Sequence, residues 1–365
     1  MTLMIIGVPS EVKNNEYRVG LTPDSVLAIV NNGHQVFIQD NAGAAIGFSN
    51  ENYTEAGATV LDTAEEVYSS AELVIKVKEP VESEFKYLRP DLTLFTYLHL
   101  AGDPENAKKL VSTGVTGIAY ETVTADDGSM PLLAPMSAIA GQISVVVGSY
   151  HLLKHNSGKG VLIGAFDDIA PRVVTVIGAG VAGTEAIAKA IANEAFVKVI
   201  DLSESKLKEL ESSFGNTNIE YIKSTPDSIK EAVIASDLVI GSVYVIGKKA
   251  PKIVTLDMIN QMKPGTVMVD ISIDQGGCFE SSKPTTHDNP TFLVNDVVHY
   301  CVTNMPGAVP LTATLALNKV TLPYILELAN NGIKNTLNEN IHLRNGLNAS
   351  NGEIKHPGVF EALNK

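Results

Sequence analysis

The chain has 365 residues, 45% of them hydrophobic and 19% charged, with a formal net charge of −14. That length supports two substantial cores, and the composition is that of an ordinary globular protein. The negative balance argues against nucleic acid or an anionic membrane as main partner, but leaves small anionic substrates open, because local cationic clusters decide those.

Met4–Val8 reads as a first strand, followed by the polar loop Pro9–Val19. Thr22-Pro23-Asp24 starts a helix, with Thr22 as cap, Pro23 at the first helical position and Asp24 in the first turn; Asn32-Gly33 ends it. Val36–Ile38 is the next strand, and short helices are expected over Asn50–Ala56 and Thr63–Ser70. Leu73–Val77, Leu92–Tyr97 and Gly117–Tyr120 read as strands, with Pro104–Thr113 helical between the last two. This alternation predicts a parallel sheet in a Rossmann-like domain without a glycine fingerprint.

Ser137–Leu153 predicts a long helix crossing to a central domain. Its Gly141, Gln142, Gly148 and Ser149 argue against a membrane span, and the opening MTLMIIGVPSE has no pattern of a secretion signal. Val173–Ile177, short and β-branched, then runs into Gly178-x-Gly180-x-x-Gly183. A helix over Ala182–Asn193 and a strand Phe196–Ile200 ending at Asp201 complete the context of a dinucleotide fingerprint. Gly178 makes the turn, Gly180 lets a pyrophosphate approach, and Gly183 lets helix and strand pack. The helix start offers N–H groups and a positive dipole end, so Gly178, Ala179, Gly180, Val181, Ala182 and Gly183 are expected to bind cofactor. Asp201 can accept from the adenosine-ribose hydroxyls. Leu202, Ser203 and Glu204 follow without an arginine, which favours NAD over NADP.

Further on, helices are expected over Glu204–Ser213, Pro226–Ala235 and Leu256–Met262. Strands are expected at Ile219–Ile222, Leu238–Ser242, Val267–Ser272 and, as the last, Phe292–Asn295. A second long helix over Thr312–Asn330 suggests that the chain returns to its first domain. The expected division is a discontinuous substrate domain, residues 1–136 with 307–365, and a nucleotide domain, 137–306, with a cleft between them.

Functional groups in parallel sheets sit beyond the carboxyl ends of strands. That rule selects Arg18, Lys78, His99 and Asp274. Arg18 can fork a carboxylate, Lys78 can hold a carboxylate or ketone oxygen, His99 can move protons near neutral pH, and Asp274 is expected to face it. Lys76 and Lys78 lie two apart and are expected to share one strand face. His151 and His155 have helical spacing but no third ligand, so no metal is expected. Cys278 and Cys301 form neither a disulfide framework nor a metal-site spacing.

The chain resembles the NAD-dependent L-alanine dehydrogenases in GVPSEVKNNEYRVGLTP (Gly7–Pro23), LVIKVKEP (Leu73–Pro80), LFTYLHLA (Leu94–Ala101), GIAYETV (Gly117–Val123) and LLAPMSAIAG (Leu132–Gly141). GAGVAG (Gly178–Gly183), MVDISIDQGGCFE (Met268–Glu280) and YCVTNMPGAVP (Tyr300–Pro310) extend the likeness over both domains. The resemblance implies two Rossmann-like α/β domains linked by long helices and oxidation of L-alanine to pyruvate and ammonium with NAD. It implies that Arg18 and Lys78 hold substrate, His99 and Asp274 are catalytic, and Glu79 orients Lys78 or Arg18. Asn304 and Met305 would border substrate and nicotinamide, with Ser137 among the cofactor-binding residues. A cytoplasmic homo-oligomer, often a hexamer, is also implied. Three segments depart from the family pattern: Ile163–Pro171, Ile191–Phe196 and Leu311–Thr321. The runner-up readings are a relative of the NAD-binding subunit of the nicotinamide nucleotide transhydrogenases, a dehydrogenase for a bulkier amino acid, and an NAD-responsive sensor without turnover.

Overall fold

The computed structural model describes residues 3–245 and 249–364. Met1 and Thr2 of the opening segment, and Lys365 at the expected end of the first domain, lie outside the described residues. In chain order the strands are β1 (Ile5–Val8), β2 (Gln35–Gln39), β3 (Thr59–Leu61), β4 (Leu73–Ile75), β5 (Thr93–Thr96), β6 (Thr116–Ala119), β7 (Val173–Ile177), β8 (Phe196–Asp201), β9 (Ile219–Lys223), β10 (Leu238–Gly241), β11 (Val267–Asp270), β12 (Thr291–Val294), β13 (Val297–Tyr300), β14 (Leu347–Ser350) and β15 (Glu353–Ile354). They form two compact units, Met1–Met136 with Val309–Lys365, and Ser137–Ala308. The return to the first unit thus falls at 309 rather than the expected 307.

In the first unit the strand order is β15-β14-β6-β5-β4-β1-β2-β3. β1 to β6 pair in parallel, but β14 runs antiparallel to β6 and β15 antiparallel to β14. The sheet is therefore mixed. Asn351 and Gly352 both have positive φ, 53° and 77°, which suits the tight turn joining β14 to β15. The strands are apolar because helices cover both faces. Ile6, Leu73, Val74, Ile75, Leu94 and Phe95 are wholly buried.

The expected start of the first helix holds, whereas the long helices begin earlier than expected, at Ala134 rather than Ser137 and at Pro310 rather than Thr312. Thr22 caps the helix Pro23–Asn31 by accepting from Ser25 N at 3.2 Å. Thr63 and Glu66 form a capping box at Ala64–Ser70. The returning helix, Pro310–Asn331, is fastened to the N-terminal loop by the buried Asn318. Its Oδ1 accepts from Thr22 N at 2.8 Å, and its Nδ2 donates to Gly20 O at 3.2 Å.

In the second unit the order is β12-β13-β11-β10-β7-β8-β9, parallel except for β12 against β13. The hairpin β12–β13 turns on Asn295 and Asp296, with φ of 48° and 59°. The atypical segments Ile163–Pro171 and Ile191–Phe196 lie against each other here: a Cβ on Gly164 would sit 2.3 Å from Asn193 O. The long helix runs over Ala134–His151 and includes the boundary between the units. Among the described residues no helix is long and apolar enough to cross a membrane.

Replacing Asn318 by Leu leaves the Thr22 amide and the Gly20 carbonyl buried without a partner, and each such group costs about 1–3 kcal/mol. Urea denaturation is expected to register the Asn318→Leu loss in the unfolding of the first unit; an unchanged midpoint would show that the tether carries no stability.

Candidate active site

In both sheets the parallel order reverses at one place, between β1 and β4 in the first unit and between β7 and β10 in the second. Loops leaving the carboxyl ends of such a pair diverge and open a crevice, the usual ligand position in doubly wound sheets. In the first unit those loops are residues 9–22, with Arg18, and 76–80, with Lys78.

Arg18 is 2% exposed. Its Nε and Nη2 donate to the two oxygens of Glu16 at 2.6 and 2.5 Å, and Nη1 approaches Met136 Sδ at 3.2 Å. Burial opposes the charge, but Glu16 more than offsets it and lifts the guanidinium above its ordinary pKa. One edge of the fork, Nε with Nη2, is thus taken by Glu16. Glu79 pairs with lysines rather than with Arg18.

The strand β4 stops at Ile75, so Lys76 and Lys78 do not share a strand face. Lys76 Nζ lies 3.1 Å from Glu11 and 2.7 Å from Glu84. Lys78 Nζ lies 3.2 Å from Glu79 Oε2, an ion pair. The Lys78 side chain is only 9% exposed. Glu79 also pairs with Lys13. Burial raises the Glu79 acid, but Lys78, Lys13 and His99 together hold it down to about 2, so its charge is secure near neutral pH.

His99 follows β5 in a left-handed turn with φ of 49°, a conformation that costs a non-glycine residue about 1–2 kcal/mol. Glu121 holds that turn, accepting from His99 N at 2.6 Å and Leu98 N at 3.2 Å. The half-buried imidazole stacks on Tyr97 at 5.7 Å between centroids and 10° between planes. Tyr97 in turn donates to Leu132 O at 2.6 Å and lies within the field of Arg18. The first unit therefore gathers Arg18, Lys78, Glu79 and His99. Glu16 and Glu121 were not foreseen. Glu16 stands two residues before the arginine, and Glu121 follows a strand as the selected residues do.

The second unit carries the other candidates. A Cβ on Gly183 would sit 1.8 Å from Gly178 O, and one on Gly178 2.6 Å from Ser242 O. A Cβ on Gly180 would meet nothing within 4 Å, and its φ of −70° suits any residue. The first two glycines thus serve packing within the chain, whereas Gly180 leaves open a space that a side chain would fill. The helix behind it, Val181–Ala192, has no side-chain cap, so the N–H groups of its first turn face that space, and Ala182 and Gly183 are buried within it. Asp201 accepts from Ala179 N and Ser203 N, each at 2.7 Å, leaving further lone pairs for sugar hydroxyls. These features fit a dinucleotide. Lys223 comes close to this end, but its ammonium is occupied by Leu202 O and Glu204.

Asp274 is exposed in the turn Ile271–Gln275 after β11. The fully buried Asp270, not singled out from the sequence, staples that loop, accepting from Ser272 N at 3.0 Å, Cys278 N at 2.9 Å and Ser282 Oγ at 2.5 Å. Asn304 is left-handed, with φ of 61°, and its carbonyl meets His287 Nε2 at 3.2 Å. Met305 is buried beside it, and Ser137 is half-buried on the long helix. Cys278 and Cys301 are buried free thiols, both raised by burial and by Asp270. Among the described residues no group of acids, histidines and cysteines is placed to hold a metal.

A dinucleotide-type crevice in one doubly wound unit, and buried cations at the switch point of another with a histidine on the neighbouring strand end, define a two-domain oxidoreductase that uses a nicotinamide cofactor. Residues 7–140 match the family model described as "Alanine dehydrogenase/PNT, N-terminal domain", and residues 144–357 match "Alanine dehydrogenase/PNT, C-terminal domain". The chain belongs to the alanine dehydrogenase/PNT family. It is 48% identical over 360 residues to the alanine dehydrogenase of Mycolicibacterium smegmatis, covering 99% of this chain and 97% of that protein. The Bacillus subtilis alanine dehydrogenase is 48% identical over 361 residues, covering 99% and 95%. A solved L-alanine dehydrogenase superposes with a TM-score of 0.94 at 46% identity over 99% of each chain. A transhydrogenase from Sinorhizobium meliloti has a TM-score of 0.81 at 24% identity, covering 97% of this chain and 99% of that one, a likeness of fold.

Gly180→Val and Gly183→Val are expected to part company. The first folds, with an unchanged thermal midpoint, and loses NADH affinity in a fluorescence titration; the second loses the fold of its unit. Wild-type NADH affinity in Gly180→Val would remove the pyrophosphate role from that space.

Proposed function

We propose that this chain is an alanine dehydrogenase that interconverts L-alanine, NAD⁺ and water with pyruvate, ammonium, NADH and a proton. The observation that carries the reading is the Lys78 ammonium: largely buried, with the single carboxylate oxygen of Glu79 3.2 Å away to balance it, so that of its three donors at most one is engaged there. A buried cation with unused donors is suited to the oxygen of a small acid. Arg18, steadied by Glu16, takes the substrate carboxylate, and Lys78 takes the 2-oxo or carboxylate oxygen. This grip contributes orientation rather than proton chemistry.

When bound, the nicotinamide supplies acceptance and return of the hydride at the substrate Cα. His99 accepts a proton from the water that adds to Cα of the imino acid, and returns one to the departing ammonia. Its left-handed turn and its stack on Tyr97 restrict the imidazole to a narrow range of directions. Asp274 orients that water or the amine and favours the transient positive charge on nitrogen. Asp201 favours NAD: a 2′-phosphate would approach a carboxylate, and the nearby lysine, Lys223, is occupied. Gly178 to Gly183, Ser137 and Met305 serve the cofactor, and Asn304 borders the substrate.

A cytoplasmic homo-oligomer, with a hexamer favoured, is part of the same proposal. The exposed Val146 and Tyr150, one turn apart on the long helix, support self-association.

The test follows NADH oxidation with pyruvate and ammonium. His99→Asn is expected to lower kcat by about 10²–10⁴-fold with NADH affinity unchanged. Wild-type turnover in that variant would remove the histidine from the chemistry, and an inactive wild type that still binds NADH would remove the reaction.

A further inference from the structure

The loop after β1 carries an acid for which the reaction has no use. Glu11 is buried, and its Oε1 accepts from Val77 N at 2.6 Å and Lys78 N at 3.3 Å. Its Oε2 meets Lys76 Nζ at 3.1 Å. Lys76 also pairs with Glu84 at 2.7 Å, and Glu84 accepts from Tyr68 Oη at 2.9 Å and Val81 N at 3.0 Å. The Lys76 side chain is wholly buried, and those of Glu11 and Glu84 are 2% and 4% exposed.

The placement matters because the ladder of β4 has ended. From Lys76 onward the chain keeps only single backbone bonds to its neighbour, Lys76 N to Phe95 O and Tyr97 N to Val77 O, each at 3.3 Å. The amides of Val77 and Lys78 find their acceptor in the Glu11 carboxylate instead. The loop that supplies Glu11 also supplies Glu16 and Arg18, and its Lys13 pairs with Glu79. One carboxylate therefore joins the two halves of the substrate grip.

We propose that Glu11, steadied by the buried Lys76, is a positioning residue that sets the Lys78 ammonium against Arg18 for recognition of a 2-oxo acid. This rests on the alanine dehydrogenase reading. Glu11 touches neither substrate nor cofactor; it acts through the backbone of Lys78. Both carboxylate oxygens are engaged, Oε1 by the two amides and Oε2 by Lys76; burial pushes the Glu11 acid up, and Lys76 and the Val77 amide oppose the rise.

The experiment measures pyruvate KM, kcat, the NADH dissociation constant and the thermal midpoint in Glu11→Gln and Glu11→Ala. Glu11→Gln keeps one acceptor for the two amides but turns a donor-bearing nitrogen towards Lys76, and pyruvate KM is expected to rise about 3–10-fold. Glu11→Ala removes both contacts, for an expected rise of about 30-fold or more, as loss of a charge-assisted hydrogen bond implies. NADH binding stays within about twofold of wild type in both. A lower thermal midpoint with pyruvate KM unchanged would make Glu11 merely structural and overturn the proposal, as would an equal loss of NADH affinity. If Glu11→Ala fails to fold, Glu11→Gln decides on the same criterion. A wild type that binds NADH but leaves pyruvate and ammonium unreacted defeats the reaction itself, and this inference with it.

Discussion

Buried charge is the constraint on which the first unit depends. Arg18, Lys76 and Lys78 are almost wholly removed from water, and each faces carboxylates on its own loop or the next. Desolvation alone would push such cations towards neutrality; the carboxylates oppose it. With Lys13 there are four cations against Glu11, Glu16, Glu79 and Glu84, so the cluster is balanced rather than positive. In the reaction proposed above, what such a cluster offers a small acid is direction: donors held in place before it arrives, needing little reorganisation afterwards. The chain's large negative charge has little bearing on this, because partners a few ångströms away dominate a desolvated site.

The second unit works with a different material, backbone brought close. Gly178 and Gly183 let turn, helix and neighbouring strand approach without Cβ atoms, and Gly180 leaves the helix start uncovered. Asp201 ties the turn to the end of β8 while retaining acceptor capacity. Asp270 does comparable work at the end of β11, gathering the loop that presents Asp274. Burial raises the Asp270 acid, and the Ser282 and Cys278 contacts oppose the rise. The paired displacement of Ile163–Pro171 and Ile191–Phe196 from the family pattern has a local meaning as well, since the two segments are in contact through Gly164 and Asn193.

Legibility of the sequence followed the physics of each feature. The glycine turn was readable because strand, spacing and acid all had to coincide, and the switch-point loops were readable because strand ends were. The partners Glu16, Glu11, Glu84 and Glu121 were not: an acid in a polar loop looks solvated until tertiary structure buries it. The end of β4 at Ile75 was also hidden, since Lys76-Val77-Lys78 continues the alternation of the strand while Glu11 diverts its amides. The hairpins β12–β13 and β14–β15 were passed over despite Asn295-Asp296 and Asn351-Gly352, pairs that favour the left-handed backbone such turns need.

The most direct test of the pre-set grip is calorimetric binding of oxamate, a pyruvate isostere with no reaction to follow, to the NADH-loaded chain and to its Lys78→Met variant. The account predicts that the variant binds oxamate about 10–100-fold more weakly, the loss of a charged hydrogen bond, while NADH binds as before. Oxamate affinity equal to wild type in Lys78→Met would contradict it, for the buried ammonium would then have no part in holding the acid.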